Sequence, residues 1–279
     1  MSFYPQPNKY QCGPFALKYA LVMLGVFKNE NQIGIIAGST WWAGTDEIGL
    51  SRAARRFNCK LVHFHSTTAV KSRQLLSAYL RKGIPCLLSV HNWEHWITVI
   101  NCSRGNYIMI DSGRDTVVNI INPQQLNKLW RYHDEEGGIT SYDGYALIPK
   151  FKVHTRAKMD LKKAHELMFE SNKNLASRWN EYFNDVLNIS KPRTALSTNY
   201  ITFREFLRRN QKNIVKKVAN WHGDPTYAEL IKILNNMKFI AEVYDLIIPI
   251  ADEKKALIDV TAILTIYSCG KYGMDSIYE

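Results

Sequence analysis

The chain has no Cys-x-x-Cys pair, and its five cysteines, at positions 12, 59, 86, 102 and 269, are an odd number. That count and spacing fit neither a disulfide framework nor a thiolate zinc site, and a reducing compartment suits them better. The stretch "MSFYPQPNKY" does not read as a secretory leader, since it has no basic start running into an apolar core. Long apolar runs are scarce. The most apolar late stretch, "ALIDVTAILTIYSC", is interrupted by Asp259 and is too short to span a bilayer. The expectation is a soluble, cytoplasmic protein without a transmembrane segment. There is no internal repeat and no low-complexity tract, and Pro and Gly are modest at 9 and 15 residues, which excludes a disordered or fibrous chain. Acid is the scarcer charge: 25 Asp and Glu stand against 36 Lys and Arg, for a net +11 over 279 residues. A basic chain suits an anionic partner, but a solvated basic surface is the commoner origin of such an excess.

What is present changes in texture near residue 150. Before it, short runs rich in β-branched and aromatic residues (60–65, 85–90, 95–100, 106–111 and 144–149) are bounded by Gly, Pro or Asn and read as strands. Helical patterns fall at 13–25, 46–57, 72–82 and 123–130. After Pro149 the strand signals fade. Residues 157–188 read as a long amphipathic helix broken at most once. Residues 202–221 read as another with Thr202 as N-cap, then 226–247 and 252–268, with 190–200 a linker. The expected plan is α+β: residues 1–150 as one domain and 151–279 as a helical accessory domain.

"QPNKYQCGPFALKYALVMLG" puts Cys12 at the mouth of an apolar helix that Gly25 ends. Pro14 suits the first turn, where its missing N–H costs nothing. The unpaired N–H groups of that turn favour an anion, so the helix serves as an electrostatic support for a thiolate. A lone free cysteine is more often a small buried hydrophobe, and it needs a base and an oxyanion donor before it counts as a nucleophile. "NWEHWITVINCSRGNYIMIDS" supplies a candidate base. It reads as strand, turn, strand, with His95 near one end and Asp111 near the other. Folding the pair about 103–105 brings these two ends together, with the register free to slip by a residue or more. A carboxylate that orients a His leaves the second ring nitrogen for a thiol. His91 competes with His95, and Asp115 with Asp111. Gln6 offers a side-chain amide N–H for a developing oxyanion.

Together these residues resemble the papain superfamily and, within it, the bacteriocin leader-processing (double-glycine) peptidases. The resemblance covers residues 5–115 in order, and loosely to 150. It rests on Gln6 followed five residues later by Cys12-Gly13-Pro14-Phe15-Ala16-Leu17, on "GTDEIGLSRAARRF" (44–57), on Gly83-Ile84-Pro85, on His95-Trp96 and on Asp111-Ser112. The group usually follows the acid with Pro, where this chain has Ser112. The membrane-spanning and ATP-binding segments of the transporter-fused forms are not found in the chain, and residues 151–279 match no named module.

The resemblance implies a papain-like fold with the Cys-bearing helix packed on an antiparallel sheet. It also implies a cysteine peptidase. Cys12 attacks a carbonyl to form a thioester, His95 moves the proton, Asp111 orients His95 and Gln6 holds the oxyanion. An acyl- or peptidyl-transferase on the same scaffold shares the first half-reaction, and a binding module that merely keeps the fold is the non-enzymatic alternative.

Trp41, Trp42 and Trp93 are the candidate substrate-binding residues. Adjacent tryptophans cannot both point inward from an extended segment, so "TWWAGTDE" reads as a loop over a cleft, with Thr45 the N-cap of the helix beyond. Trp96 reads as packing. The expected partners are a peptide or protein substrate and, through the helical domain, a protein. No cofactor or metal is expected. Nucleic acid is disfavoured because the charge is spread, +5 in 151–279 and +6 before it, and because the basic helix at 204–217 reads best as a solvated face.

Overall fold

A computed structural model describes residues 2–134, 136–219 and 225–272. Contacts divide the chain into two compact units, residues 1–178 and 179–279.

The first unit is built on an antiparallel sheet. Its strands are β1 (Cys59–Ser66), β2 (Cys86–Val90), β3 (His95–Ser103), β4 (Asn106–Ile110), β5 (Val118–Ile121), β6 (Tyr132–His133) and β7 (Thr140–Pro149). The order is β1-β7-β2-β3-β4-β5, with the short β6 beside β7. All five expected strands are present, and β5 and β6 add to them. β3 and β4 form a hairpin whose two turn residues, Arg104 and Gly105, have φ of 49° and 79°. Positive φ at both positions matches the twist of the strands. The register shifts between Val99 and Asn101, so Ile100 is an extra residue on β3 and Thr98 faces Ile110. This bulge settles how far the hairpin ends are offset.

Helix α1 (Cys12–Met23) is buried along its whole length. It packs on β3, where Thr98 Oγ1 donates to Ala16 O at 2.7 Å. Its core includes Leu17, Leu21, Leu50, Ala53, Leu87 and Trp96. Helix α2 (Glu30–Ala37) is one the periodicity misses. Asn29 caps it and Gly38, at φ 69°, ends it. Helix α3 (Glu47–Arg56) has Asp46 as N-cap, its Oδ1 accepting from Gly49 N at 2.7 Å. The expected cap, Thr45, instead shares its hydroxyl with Ser39 at 2.6 Å. A carboxylate one residue later competes better for the helix N–H groups. Helices α4 (Ala69–Arg81) and α5 (Pro123–Trp130) cover the other face of the sheet with Leu76, Leu80, Leu126 and Trp130.

The units divide at 178 rather than at 150. Residues 151–178, with α6 (Leu161–Leu167) and α7 (Lys173–Ser177), return to the first unit. Ala157 N donates to Met23 O at 2.9 Å, Asn101 Nδ2 to Met159 O at 2.6 Å, and Ser2 and Phe3 N to Ser177 and Ala176 O at 3.0 Å each. The expected long helix over 157–188 is therefore several pieces.

The second unit holds α8 (Trp179–Ile189), α9 (Phe203–Val218), α10 (Tyr227–Val243) and α11 (Glu253–Tyr272). It also holds a three-stranded sheet, in which β8 (Lys191–Pro192) and β9 (Tyr200–Thr202) flank β10 (Leu246–Pro249). The expected linker at 190–200 thus carries β8 and starts β9. Thr202 caps α9 as expected, accepting from Glu205 N at 3.2 Å. The helix expected to 221 stops at Val218, and its last two positions fall outside the described residues, as does the side chain of Cys269. On α9, Glu205 pairs with both Arg208 and Arg209, at 2.7 and 2.9 Å. No helix among the described residues is long and apolar enough to cross a membrane.

Candidate active site

Three elements deliver the site. Cys12 is the first residue of α1, at the end where the unpaired N–H groups lie. His95 opens β3, opposite Val90. Asp111 follows the last residue of β4 and is fixed by its own N–H donating to Val117 O at 2.8 Å.

His95 Nε2 and Asp111 Oδ1 are 2.7 Å apart. Asp111 Oδ1 also accepts from Gly113 N at 2.9 Å, and Oδ2 from Arg114 Nε at 3.0 Å. Burial opposes charge on Asp111, yet His95, the Gly113 N–H and Arg114 hold its carboxyl below the usual carboxylate range. Burial alone would lower the His95 pKa. Hydrogen bonds to Asp111 and to the Cys12 sulfur, with the charges of both, raise it from 6.5 to about 9. Asp111 thus bonds the ring through Nε2, and the Cys12 sulfur lies near enough to favour the charged ring. Of the competitors, Asp115 is exposed, and it is His95 rather than His91 that meets Asp111.

Cys12 is only 5% exposed, so the thiol is not open to solvent as its place at a helix mouth suggests. Polar contact comes from the His95 side. The other described cysteines are free as well. Burial pushes the Cys59 thiol up to about 11 and that of Cys86 higher still, which makes both poor nucleophiles.

Gln6 lies between the turns that carry Cys12 and Asp111. Its Nε2 donates to Asn8 O at 2.8 Å, and its Oε1 accepts from Ser112 Oγ at 2.5 Å. Its arm of chain is anchored by a buried cluster. Tyr4 Oη donates to Glu30 at 2.5 Å, Lys18 Nζ bonds Glu30 at 2.9 Å, and Tyr19 Oη donates to Tyr4 O at 2.6 Å. Lys18 and Glu30 are residues the sequence reading passes over. Lys18 sits within the apolar pattern of α1, and its partner lies on a helix the pattern does not show.

Trp41 and Trp42 are 77% and 62% exposed and occupy a turn closed by the Thr40–Gly44 bridge. The turn stands against the nucleophile's neighbours. A Cβ at Gly44 would lie 3.5 Å from Tyr10 O, and one at Gly13 only 2.9 Å from Thr45 Cβ. Trp96 is buried, its Nε1 donating to Thr45 O at 2.9 Å. Trp93 is half exposed and stacks on Tyr132 at 3.8 Å. It ends a run of three non-glycine residues, His91, Asn92 and Trp93, at φ of 54°, 54° and 69°. Such strain directly before His95 persists only where the surroundings hold it. No group of three His, Cys, Asp or Glu among the described residues is placed to hold a metal ion.

No family model matches the chain, and no curated protein matches it. Among solved structures, the peptidase domain of Streptococcus ComA, a bi-functional ABC transporter involved in a quorum-sensing pathway, aligns at 16% identity and a TM-score of 0.40 over 53% of this chain and 98% of that domain. A double glycine motif protease from an AMS/PCAT transporter, in complex with a leader peptide, aligns at 14% and 0.39 over 52% and 89%. The peptidase domain of Streptococcus mutans ComA aligns at 15% and 0.35 over 53% and 100%.

Proposed function

We propose that the first unit is a papain-like cysteine peptidase whose nucleophile is Cys12. The observation that carries this is the 2.7 Å bond between Asp111 and the His95 ring, together with the nearness of Cys12, whose sulfur favours the charged ring. An imidazole that keeps its proton to about pH 9 stands beside a sulfur at a helix N-terminus, which is the environment of a reactive thiolate. The sulfur attacks a peptide carbonyl, an S–C bond forms, and the carbonyl oxygen takes negative charge. Gln6 Nε2–H and the backbone N–H of Cys12 serve that oxyanion. His95 then gives its proton to the leaving amine as the C–N bond breaks. Water, activated by the neutral ring, hydrolyses the thioester and restores the pair. Asp111 keeps the ring turned so that one nitrogen faces the sulfur.

Trp41 and Trp42 on one flank, and Trp93 on the β2–β3 turn, are the aromatic surfaces offered to a peptide. Trp41 and Trp42 pack edge to face on each other yet stay exposed, and Trp93 stacks on Tyr132. The second unit, 179–279, is the accessory domain for a protein partner.

The test is competitive alkylation with iodoacetamide at neutral pH, read by peptide mapping, followed by digestion of a random peptide library. Cys12 is expected to react first among the cysteines, and the protein to cut peptides unless Cys12 is replaced by Ala. Reaction of Cys12 no faster than Cys59 would refute the activated thiol.

A further inference from the structure

The turn beyond β4 touches the site through three successive residues. Asp111 bonds the His95 ring, and Gly113 donates its N–H to Asp111. Ser112, between them, is 2% exposed and bonds Gln6 twice. Its Oγ–H donates to Gln6 Oε1 at 2.5 Å, and its carbonyl accepts the Gln6 backbone N–H at 2.9 Å.

The direction of the Gln6 amide follows from its other contact. Nε2 lies 2.8 Å from Asn8 O, and a carbonyl oxygen only accepts. The amino end must therefore face Asn8 and the oxygen must face Ser112, whose hydroxyl is the donor that the oxygen needs. One Nε2–H is committed to Asn8, and one remains. Asn8 O also accepts from Gln11 N at 3.4 Å, and Gln11 is the residue before Cys12. The amide thus hangs between the turn that leads to the nucleophile and the turn that carries the acid. Without the hydroxyl, only the bond to Asn8 O opposes rotation of the amide, and a rotated amide would aim its oxygen at a developing negative charge. A proline at this position would keep the backbone carbonyl but supply no side-chain donor.

We propose that Ser112 is a positioning residue for acyl transfer at Cys12: its hydroxyl locks the Gln6 amide with the free N–H held for the oxyanion. The proposal rests on the thiol-peptidase reading and adds a second task to the turn that carries the acid, so that base and oxyanion donor are set by adjacent residues.

Two reactions of the same sulfur separate this role from a merely structural one. With p-nitrophenyl acetate, Cys12 Sγ bonds the ester carbonyl, an oxyanion forms and collapses, and p-nitrophenolate leaves with the electron pair of the broken C–O bond. With iodoacetamide, the sulfur displaces iodide at a saturated carbon and no oxyanion arises. Ser112→Ala is expected to slow acylation by about 10–100-fold while alkylation of Cys12 stays within about twofold. Gln6→Ala is expected to do the same. The double variant should be no slower than Gln6→Ala alone, because two residues acting through one donor are not additive. Ser112→Thr, which keeps the hydroxyl, should restore acylation.

Wild-type acylation by Ser112→Ala, multiplicative losses in the double variant, or equal loss of both reactions would each overturn the proposal. If Ser112→Ala melts early, Ser112→Gly removes the same hydroxyl and carries the comparison. A wild-type protein in which Cys12 gives neither reaction refutes the peptidase reading itself and takes the proposal with it. The two failures are told apart because only in that case is the unmodified chain silent.

Discussion

Replacing Asp111 by Asn removes the charge that faces His95 while keeping the size of the side chain. In the native site the His95 ring holds its proton to about pH 9 against an ordinary 6.5. At about 1.4 kcal/mol per pH unit, that gap amounts to roughly 3 kcal/mol of preference for the charged ring. Burial works in the opposite direction, so the hydrogen bonds and charges of Asp111 and Cys12 together supply more than the gap. The hydrogen bond to Asp111 is the larger of the two side-chain bonds. In Asp111→Asn, His95 is therefore expected to titrate well below pH 9, because burial still opposes the charged ring and only the Cys12 sulfur is left to favour it.

The sign for stability follows from the same values. A raised His95 pKa contributes stability that is fully present below pH 6.5 and is lost as pH rises through about 9, so the wild type should weaken over that window and the variant much less. The lowered Asp111 pKa contributes stability that is present above its ordinary 3.8 and lost as pH falls below it. The assay is NMR of carbon-13 histidine-labelled protein across pH 5–10, with His95 assigned from its disappearance in His95→Gln, and urea melts at the same pH values. A wild-type His95 that titrates near 6.5, or an Asp111→Asn ring that still titrates near 9, would show that Asp111 does not hold the proton on the ring.

Gly113 lies against the imidazole, and a Cβ there would stand 3.2 Å from His95 Cε1 and 3.3 Å from Asp111 Oδ1. Gly113→Ala should displace the ring by a few tenths of an ångström and slow p-nitrophenyl acetate turnover by about tenfold or more, with little change in Tm; unchanged turnover would show that the ring has room. Glu30→Gln strands Lys18, which is 2% exposed and bonded to Glu30 at 2.9 Å. A cost of about 3–5 kcal/mol in urea unfolding is expected; a loss under about 1 kcal/mol would mean that the ammonium finds water or another acceptor.

The order of Gln6, Cys12, His95 and Asp111, and the element that carries each, follows from the sequence alone. Local signals suffice for that: an apolar run after Gly13-Pro14, β-branched runs bounded by turns, and a hairpin turn about 103–105. The cap of α9 at Thr202 was legible for the same reason, since a cap depends only on its next few neighbours.

Tertiary structure decided the rest, because it depends on residues far apart in the chain. The bulge at Ile100 sets the hairpin offset, and no local pattern announces a bulge. Helix α2 escaped notice because only Ile33 and Ala37 of its eight residues are buried. The strands β8, β9 and β10 exist only because distant segments pair, at 191–192, 200–202 and 246–249. Residues 151–178 join the first unit through backbone bonds to Met23 and the N-terminal arm and through the Arg156 side chain, which donates to Lys82 O, and composition does not encode these. The Gln6 side chain meets Ser112, 106 positions away, and the burial of Cys12 comes from α3 and β3 packing around α1. The sequence determined which groups the site contains; long-range packing decided how they face one another, because orientation is a property of contacts rather than of spacing.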